Sequence, residues 1–279
     1  MTPAKRTHIS TSWLVLYPLL VIGALAAVLP FVWTLSTSLK APAQVFSYPP
    51  EWIPNPIEWS NYSKAFDTIS GRTFLNSVIF AGSIVILQGL VTTMGGFAFA
   101  RLRFPFRDQL FLLYLGTMMI PPQVTMIPTF IVVVRLGWID TYQGLIVPIV
   151  AQGAFGTFMF RQFFAKIPNE LYESARLDGA NPLQLYWKLT LPLSRPVLTA
   201  YGVITFLTAW NMYLWPLIVI RTNEKKVVPM AIAELAAGMS QDRGVQMAAV
   251  SLSILPILAL WIIGQKWFVE GIAMTGMKG

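Results

Sequence analysis

The chain has 279 residues, 55% of them hydrophobic and 11% charged, with a mean hydropathy of +0.60. Soluble domains carry about 25% charged residues, so this composition excludes a soluble globular protein and indicates a polytopic membrane one. Cysteine is absent and His8 is the single histidine, which excludes disulfides, thiolate sites and histidine metal clusters and argues against histidine catalysis.

The net charge of +8 does not point to nucleic acid. Basic residues cluster in short loops beside apolar runs, as membrane orientation requires, and no basic run is interleaved with aromatics. The first apolar run, residues 13–35, follows Lys5 and Arg6. Ala24-Leu25-Ala26 could end a signal peptide, but the run continues beyond it, and its length crosses a core roughly 30 Å thick at about 1.5 Å per residue. It reads as the first transmembrane helix.

Residues 36–72 hold Pro42, Pro49, Pro50, Pro54 and Pro56 with Trp52 and Trp59. Proline density forbids a long helix and tryptophan suits the headgroup interface, so a structured external loop is expected, with a short interfacial helix over 59–66. The second span covers 73–100 and ends at Arg101, Arg103 and Arg107, which mark a cytoplasmic loop. The third, 109–134, contains Pro121-Pro122 and is expected to kink there. A turn with Gly137 and Asp140 leads to the fourth span, 145–164. The fifth and sixth cover 197–220 and 247–268, separated by an external loop over 221–246. With both termini cytoplasmic, 12 of the 20 basic residues but only 5 of the 12 acidic ones lie inside, so the all-α, six-span topology is self-consistent.

The polar interval between the fourth and fifth spans, residues 168–196, reads PNELYESARLDGANPLQLYWKLTLPLSRP. Pro168 and Asn169 suit a helix start, Glu170 and Glu173 suit its N-terminal dipole, and Gly179 suits the left-handed position after its end. Asn181 offers a second cap with Pro182 at the first helical position, and Pro192 should stop that second helix. Two short helices joined at a glycine bend are expected.

The spacing within this interval is Glu173-Ser174-Ala175, three residues, Gly179, nine residues, Leu189, one residue, Leu191-Pro192. It resembles the EAA loop of ABC importer permeases, with Ser174 where that pattern has alanine. Gly95 to Pro105, Ala209-Trp210-Asn211 with Leu214-Trp215-Pro216, and Gly271 to Gly279 are similar to maltose-type permeases, in particular to the smaller six-helix subunit of carbohydrate importers. The resemblance implies a type I ABC importer permease that translocates a sugar or oligosaccharide. It implies a cytoplasmic coupling helix docking on an ATP-binding subunit dimer. It also implies a second homologous permease, an extracytoplasmic substrate-binding protein and a prokaryotic plasma membrane. ATP and Mg would sit on the partner subunits, since no Gly-x-x-x-x-Gly-Lys-Ser/Thr string exists here.

Among polar residues inside spans, Asn211 could line the path beside Trp210 and Tyr213, because sugars stack on aromatics and bond to amides; Gln152 is a similar candidate. An intramembrane amide more often serves as interhelical glue. A glycerol-phosphate or polyol importer is the alternative within the class. An ion-coupled carrier would need buried carboxylates, and none lies inside the six spans. Gly23 with Ala27, and Gly96 with Ala100, read as helix-packing positions.

Overall fold

The computed structural model describes residues 11–238 and 242–276, excluding the side chains of 11–15, 263 and 266–276. His8, Lys5, Arg6 and Lys278 lie outside the described residues. The chain divides into two compact units, one of residues up to Thr68 with Leu235–Leu252, the other of Ile69–Glu234 with residues from Ser253 onward. No strand occurs among the described residues.

The first unit begins with α1 (Thr11–Ser38). Its residues Leu16–Ser38 are long and apolar enough to cross a membrane, and the side chains of 16–32 are exposed. α2 (Pro42–Val45) and α3 (Ser60–Ile69) follow. The intervening loop is tied down: Ser36 Oγ donates to Trp52 O at 2.6 Å, and Asn61 Nδ2 donates to the carbonyls of Ser38 and Lys40 at 3.0 and 2.9 Å. The Lys40 ammonium lies 4.2 Å from the Trp33 ring centre, and burial lowers its pKa against the opposing pull of Glu51. The proline-rich segment is thus an ordered loop, as its composition suggested.

The second unit is built on α4 (Gly71–Arg101), a continuous span. α5 (Arg107–Gly116) and α6 (Pro122–Arg135) come next. Pro121-Pro122 does more than kink the expected third span, because the two arms meet at 99°. α7 (Tyr142–Ala151) and α8 (Ala154–Ala165) form the expected fourth span, but it breaks by 46° at Gln152-Gly153. α9 (Asn169–Leu177), α10 (Pro182–Gln184), a π-helical turn over Leu185–Thr190 and α11 (Leu191–Leu193) make up the polar interval. α12 (Arg195–Trp210) and α13 (Leu214–Val219) share the expected fifth span, interrupted at 211–213. The loop expected outside contains α14 (Val228–Ala237), and α15 (Arg243–Gly276) starts earlier and runs further than the expected sixth span; residues Leu235–Leu252 of these two helices belong to the first unit. Among the described residues three helices are long and apolar enough to cross a membrane, or up to five if each bent pair is one span; six spans are compatible with this architecture.

Close packing in this unit depends on small residues. A Cβ on Gly96 would come 2.6 Å from Phe160 Cβ, and one on Gly156 2.6 Å from the Tyr201 ring, so glycine lets α4, α8 and α12 approach. At the end opposite the polar interval, Asp140 adopts φ +56° and its carboxylate accepts from the Arg221 and Thr222 N–H groups at 3.0 and 3.1 Å and from Lys225 Nζ at 3.1 Å. Burial alone would raise its pKa, but these donors outweigh that and hold it at about 2. Asn76 Nδ2 donates to the carbonyls of Glu224 and Lys226 at 2.8 and 2.9 Å, so α4 anchors the same loop.

Candidate functional site

The polar interval folds largely as its local signals dictate. α9 closes with Gly179 at φ +82°; the Gly179 N–H bonds Arg176 O at 3.0 Å and the Ala180 N–H bonds Ala175 O at 2.9 Å. This pair of bonds is a Schellman closure, so the four-residue step from Ala175 to Gly179 is the step such a closure needs. Asn181 and Gln184 form a reciprocal capping box, each side-chain oxygen accepting from the other's N–H at 2.9 Å. Pro192 does not stop the second helix, which runs to Leu193. The preceding π turn, in which the Leu191 N–H reaches Tyr186 O, widens the helix before the proline ring, and proline has no N–H to leave unpaired.

Buried residues hold this loop to the spans. Tyr172, Leu185 and Tyr186 join Phe97, Phe160, Phe164, Ile167 and Tyr201 in one apolar cluster. Tyr172 Oη and Thr190 Oγ1 are 2.9 Å apart, and Tyr186 Oη and Thr93 Oγ1 on α4 are 2.7 Å apart. Glu173, Ser174, Gly179 and Pro192 are exposed, while Ala175, Leu189 and Leu191 are half-buried against the cluster. The motif therefore divides into an outward carboxylate face and an inward apolar one. The motif itself does not name Tyr172, Tyr186 or Thr93, and Arg101 enters the sequence reading only as a loop charge; an aromatic beside each motif half is the available signal.

The second feature is an open cavity of about 780 Å³ in the elbow of α5 and α6, walled on one side by the α7–α8 break. Its walls include Tyr114, Thr125, Thr129, Trp138 and Gln152. An adjoining cavity of about 200 Å³ shares Thr129 and Gln152 and adds Gln123, Met212 and Trp215. Among the described residues, no Asp, Glu, Lys, Arg or His lines either. Gln88 on α4 braces the break: its Nε2 donates to Ile149 O at 2.7 Å and to Gln152 O at 3.3 Å, and its Oε1 accepts from Tyr201 Oη at 3.0 Å.

The sequence candidates for a path are not gathered in one place. Gln152 lines both cavities, whereas Trp210, Asn211 and Tyr213 line neither. Trp210 is 2% exposed, donates from Nε1 to Ser253 O at 3.2 Å and stacks on Phe206. Asn211 is exposed and its Nδ2 bonds Leu207 O at 2.8 Å. Tyr213, half-buried, caps α13. Gln88 and Gln123 meet the criterion that selects Asn211, an amide inside an apolar span, whereas Thr129 carries no such signal. Among the described residues no group of three or more His, Cys, Asp or Glu could hold a metal.

Residues 92–274 match the family model for the binding-protein-dependent transport system inner membrane component. The chain belongs to this family. Among its relatives, the sn-glycerol-3-phosphate transport system permease protein UgpE of Yersinia pestis bv. Antiqua (strain Antiqua) is 34% identical over 263 residues, covering 91% of this chain and 93% of that protein. The protein of the same name from Rhizobium meliloti (strain 1021) is 33% identical over 267 residues, covering 92% and 94%. A solved bacterial ABC transporter involved in the import of the acidic polysaccharide alginate contains a chain 25% identical to this one. The match has a TM-score of 0.79 and covers 96% of this chain and 100% of that one. This member of the family is thus a multi-pass membrane permease of an ABC importer, not an enzyme, and it works with other components of such an importer.

Proposed function

We propose that this permease carries an uncharged sugar or oligosaccharide across a prokaryotic plasma membrane. It pairs with a second, homologous permease, an ATP-binding subunit dimer that holds ATP and Mg, and an extracytoplasmic binding protein. Both termini and the interval 168–196 face the cytoplasm. Glu173, on the exposed face of α9, pairs with a basic group of the ATPase; Ala175, Gly179, Leu189, Leu191 and Pro192 keep the loop in the shape that docks.

The observation that carries the substrate class is the lining of the cavity at the broken spans. Amide, hydroxyl and aromatic groups such as Gln152, Gln123, Thr129 and Trp138 suit hydroxyl-rich, uncharged molecules. A phosphate dianion in a membrane-embedded cavity needs a cation, and the described residues lining these two cavities include none. On this reading Trp210 ties α12 to α15 through its bond to Ser253 O, and Asn211 and Tyr213, at the interruption between α12 and α13, contact substrate on its path. The second reading, transport of sn-glycerol 3-phosphate, is favoured by the names of the 34% identical relatives and requires the partner permease to supply the cation.

Two measurements test this. Affinity purification of the tagged chain in mild detergent should bring down an ATPase and a second permease, and Glu173→Lys should lose the ATPase; recovery of the chain alone would overturn the reading. ATP-dependent uptake by the reconstituted complex should then be seen with labelled neutral sugars and be unaffected by excess sn-glycerol 3-phosphate. Uptake of the phosphate ester instead would establish the second reading.

A further inference from the structure

Arg101 is the last residue of α4, and its side chain joins three elements. Nη1 donates to Asn169 Oδ1, at the start of α9, at 2.6 Å. Nη2 donates to the carbonyls of Phe164 and Ile167, at and just beyond the end of α8, where the helix dipole is negative. The guanidinium carbon stands 4.2 Å from the ring centre of Tyr172, the buried residue of α9. None of the ion pairs among the described residues involves Arg101. Arg107 and Arg161, by contrast, both pair with Asp108. The charge of Arg101 is therefore directed at backbone carbonyls, an amide and an aromatic face, a combination that a planar five-donor fork can serve and a single ammonium cannot.

The same helix carries Gln88, 13 positions earlier, which braces the break beside the cavity. At about 1.5 Å per residue the two side chains are about 20 Å apart along one continuous helix. A polar contact at each end of this stretch of α4 therefore connects the loop to the cavity wall through a rigid element.

We infer that Arg101 is a positioning residue of the transport cycle, tying the first turn of α9 to α4 so that displacement of the loop moves α4 as a body. This rests on the proposed role of the loop in docking the ATPase. The chain has no cysteine, so a single Thr129→Cys change reports on the cavity. In proteoliposomes holding the complete transporter, a water-soluble maleimide should label this site at different rates without nucleotide and with ATP plus vanadate. Adding Arg101→Lys should shrink that nucleotide-dependent difference by about tenfold, within the usual span of site-to-site coupling, while ATP hydrolysis and recovery of the ATPase persist. Asn169→Ala, which removes one Arg101 partner and leaves the arginine in place, should shrink it less.

A full nucleotide response in both variants overturns the inference. So does loss of the ATPase from the Arg101→Lys complex, which would mean that the residue acts on assembly. Absence of any nucleotide response in the Thr129→Cys reference would instead overturn the docking reading on which the inference rests.

Discussion

Gly179 is a position where the demand falls on the backbone alone. A Cβ there would meet nothing within 4 Å, yet φ is +82°, so the requirement is conformational and not one of space. Any side chain costs about 1–2 kcal/mol in that region, and a β-branched one more. Gly179→Val should therefore reopen the Schellman closure, abolish uptake and leave membrane insertion intact; normal uptake in that variant would show that the bend is dispensable. Asp140 makes a different demand, because its carboxylate is held at about 2 by Arg221, Thr222 and Lys225. A depressed folded pKa gives a contribution that is complete above the unfolded value near 4 and disappears as pH falls toward 2. Asp140→Asn should lower the thermal midpoint of the purified complex at pH 7, by an amount equivalent to about 1–2 kcal/mol. The difference from the unmutated chain should narrow between pH 4 and pH 2. A difference independent of pH would mean that the loop is held by packing instead.

At the scale of elements, the contrast between α9 and the broken spans explains what could be read from the sequence. The caps of the polar interval are decided within six positions by Gly179, Asn181, Pro182 and Gln184, and such local chemistry is visible in a string of letters. The break at Gln152-Gly153 is not local. It is braced by Gln88, which is 64 positions away from Gln152 in the chain, and apolar content, which measures length in the membrane, is blind to a change of backbone direction. The Pro121-Pro122 break is legible in kind but not in size, since prolines announce lost donors and not the angle between the two arms, which is 99°. The reading of Gly96 as a packing position has a direct geometric basis: a Cβ at this position would lie 3.0 Å from the Arg161 backbone nitrogen as well as 2.6 Å from Phe160 Cβ. Gly96→Val should force α4 from α8, costing about 1–3 kcal/mol by overpacking, and cut uptake through displacement of the helix that carries both Arg101 and Gln88. A variant with normal uptake and stability would show that the two helices can slide without consequence.

For the molecule as a whole, the charge asymmetry gives the orientation its test. The chain's lack of cysteine allows one reporter at a time: Asn223→Cys, in the loop expected outside, should react with an impermeant maleimide in intact cells. Ser174→Cys should react only after the membrane is opened. The reverse pattern would invert the topology and separate the 168–196 loop from any cytoplasmic ATPase. Both reporters stand at exposed positions, so lack of reaction cannot be blamed on burial within this chain.

The Gln88 brace also bears on how the protein is made. In hydrocarbon, backbone groups opened by a broken helix have no water to turn to and need a protein donor at once. That donor lies on α4, which precedes α7 and α8 in the chain and is synthesised before them. The break can therefore form against a partner already in the bilayer, and a glutamine that burdens the insertion of its own helix is repaired by the arrival of the next. A rearranged chain in which residues 142–165 are translated before residues 71–101 would send the unsupported break into the membrane first, and biogenesis, not transport, would be the step that fails.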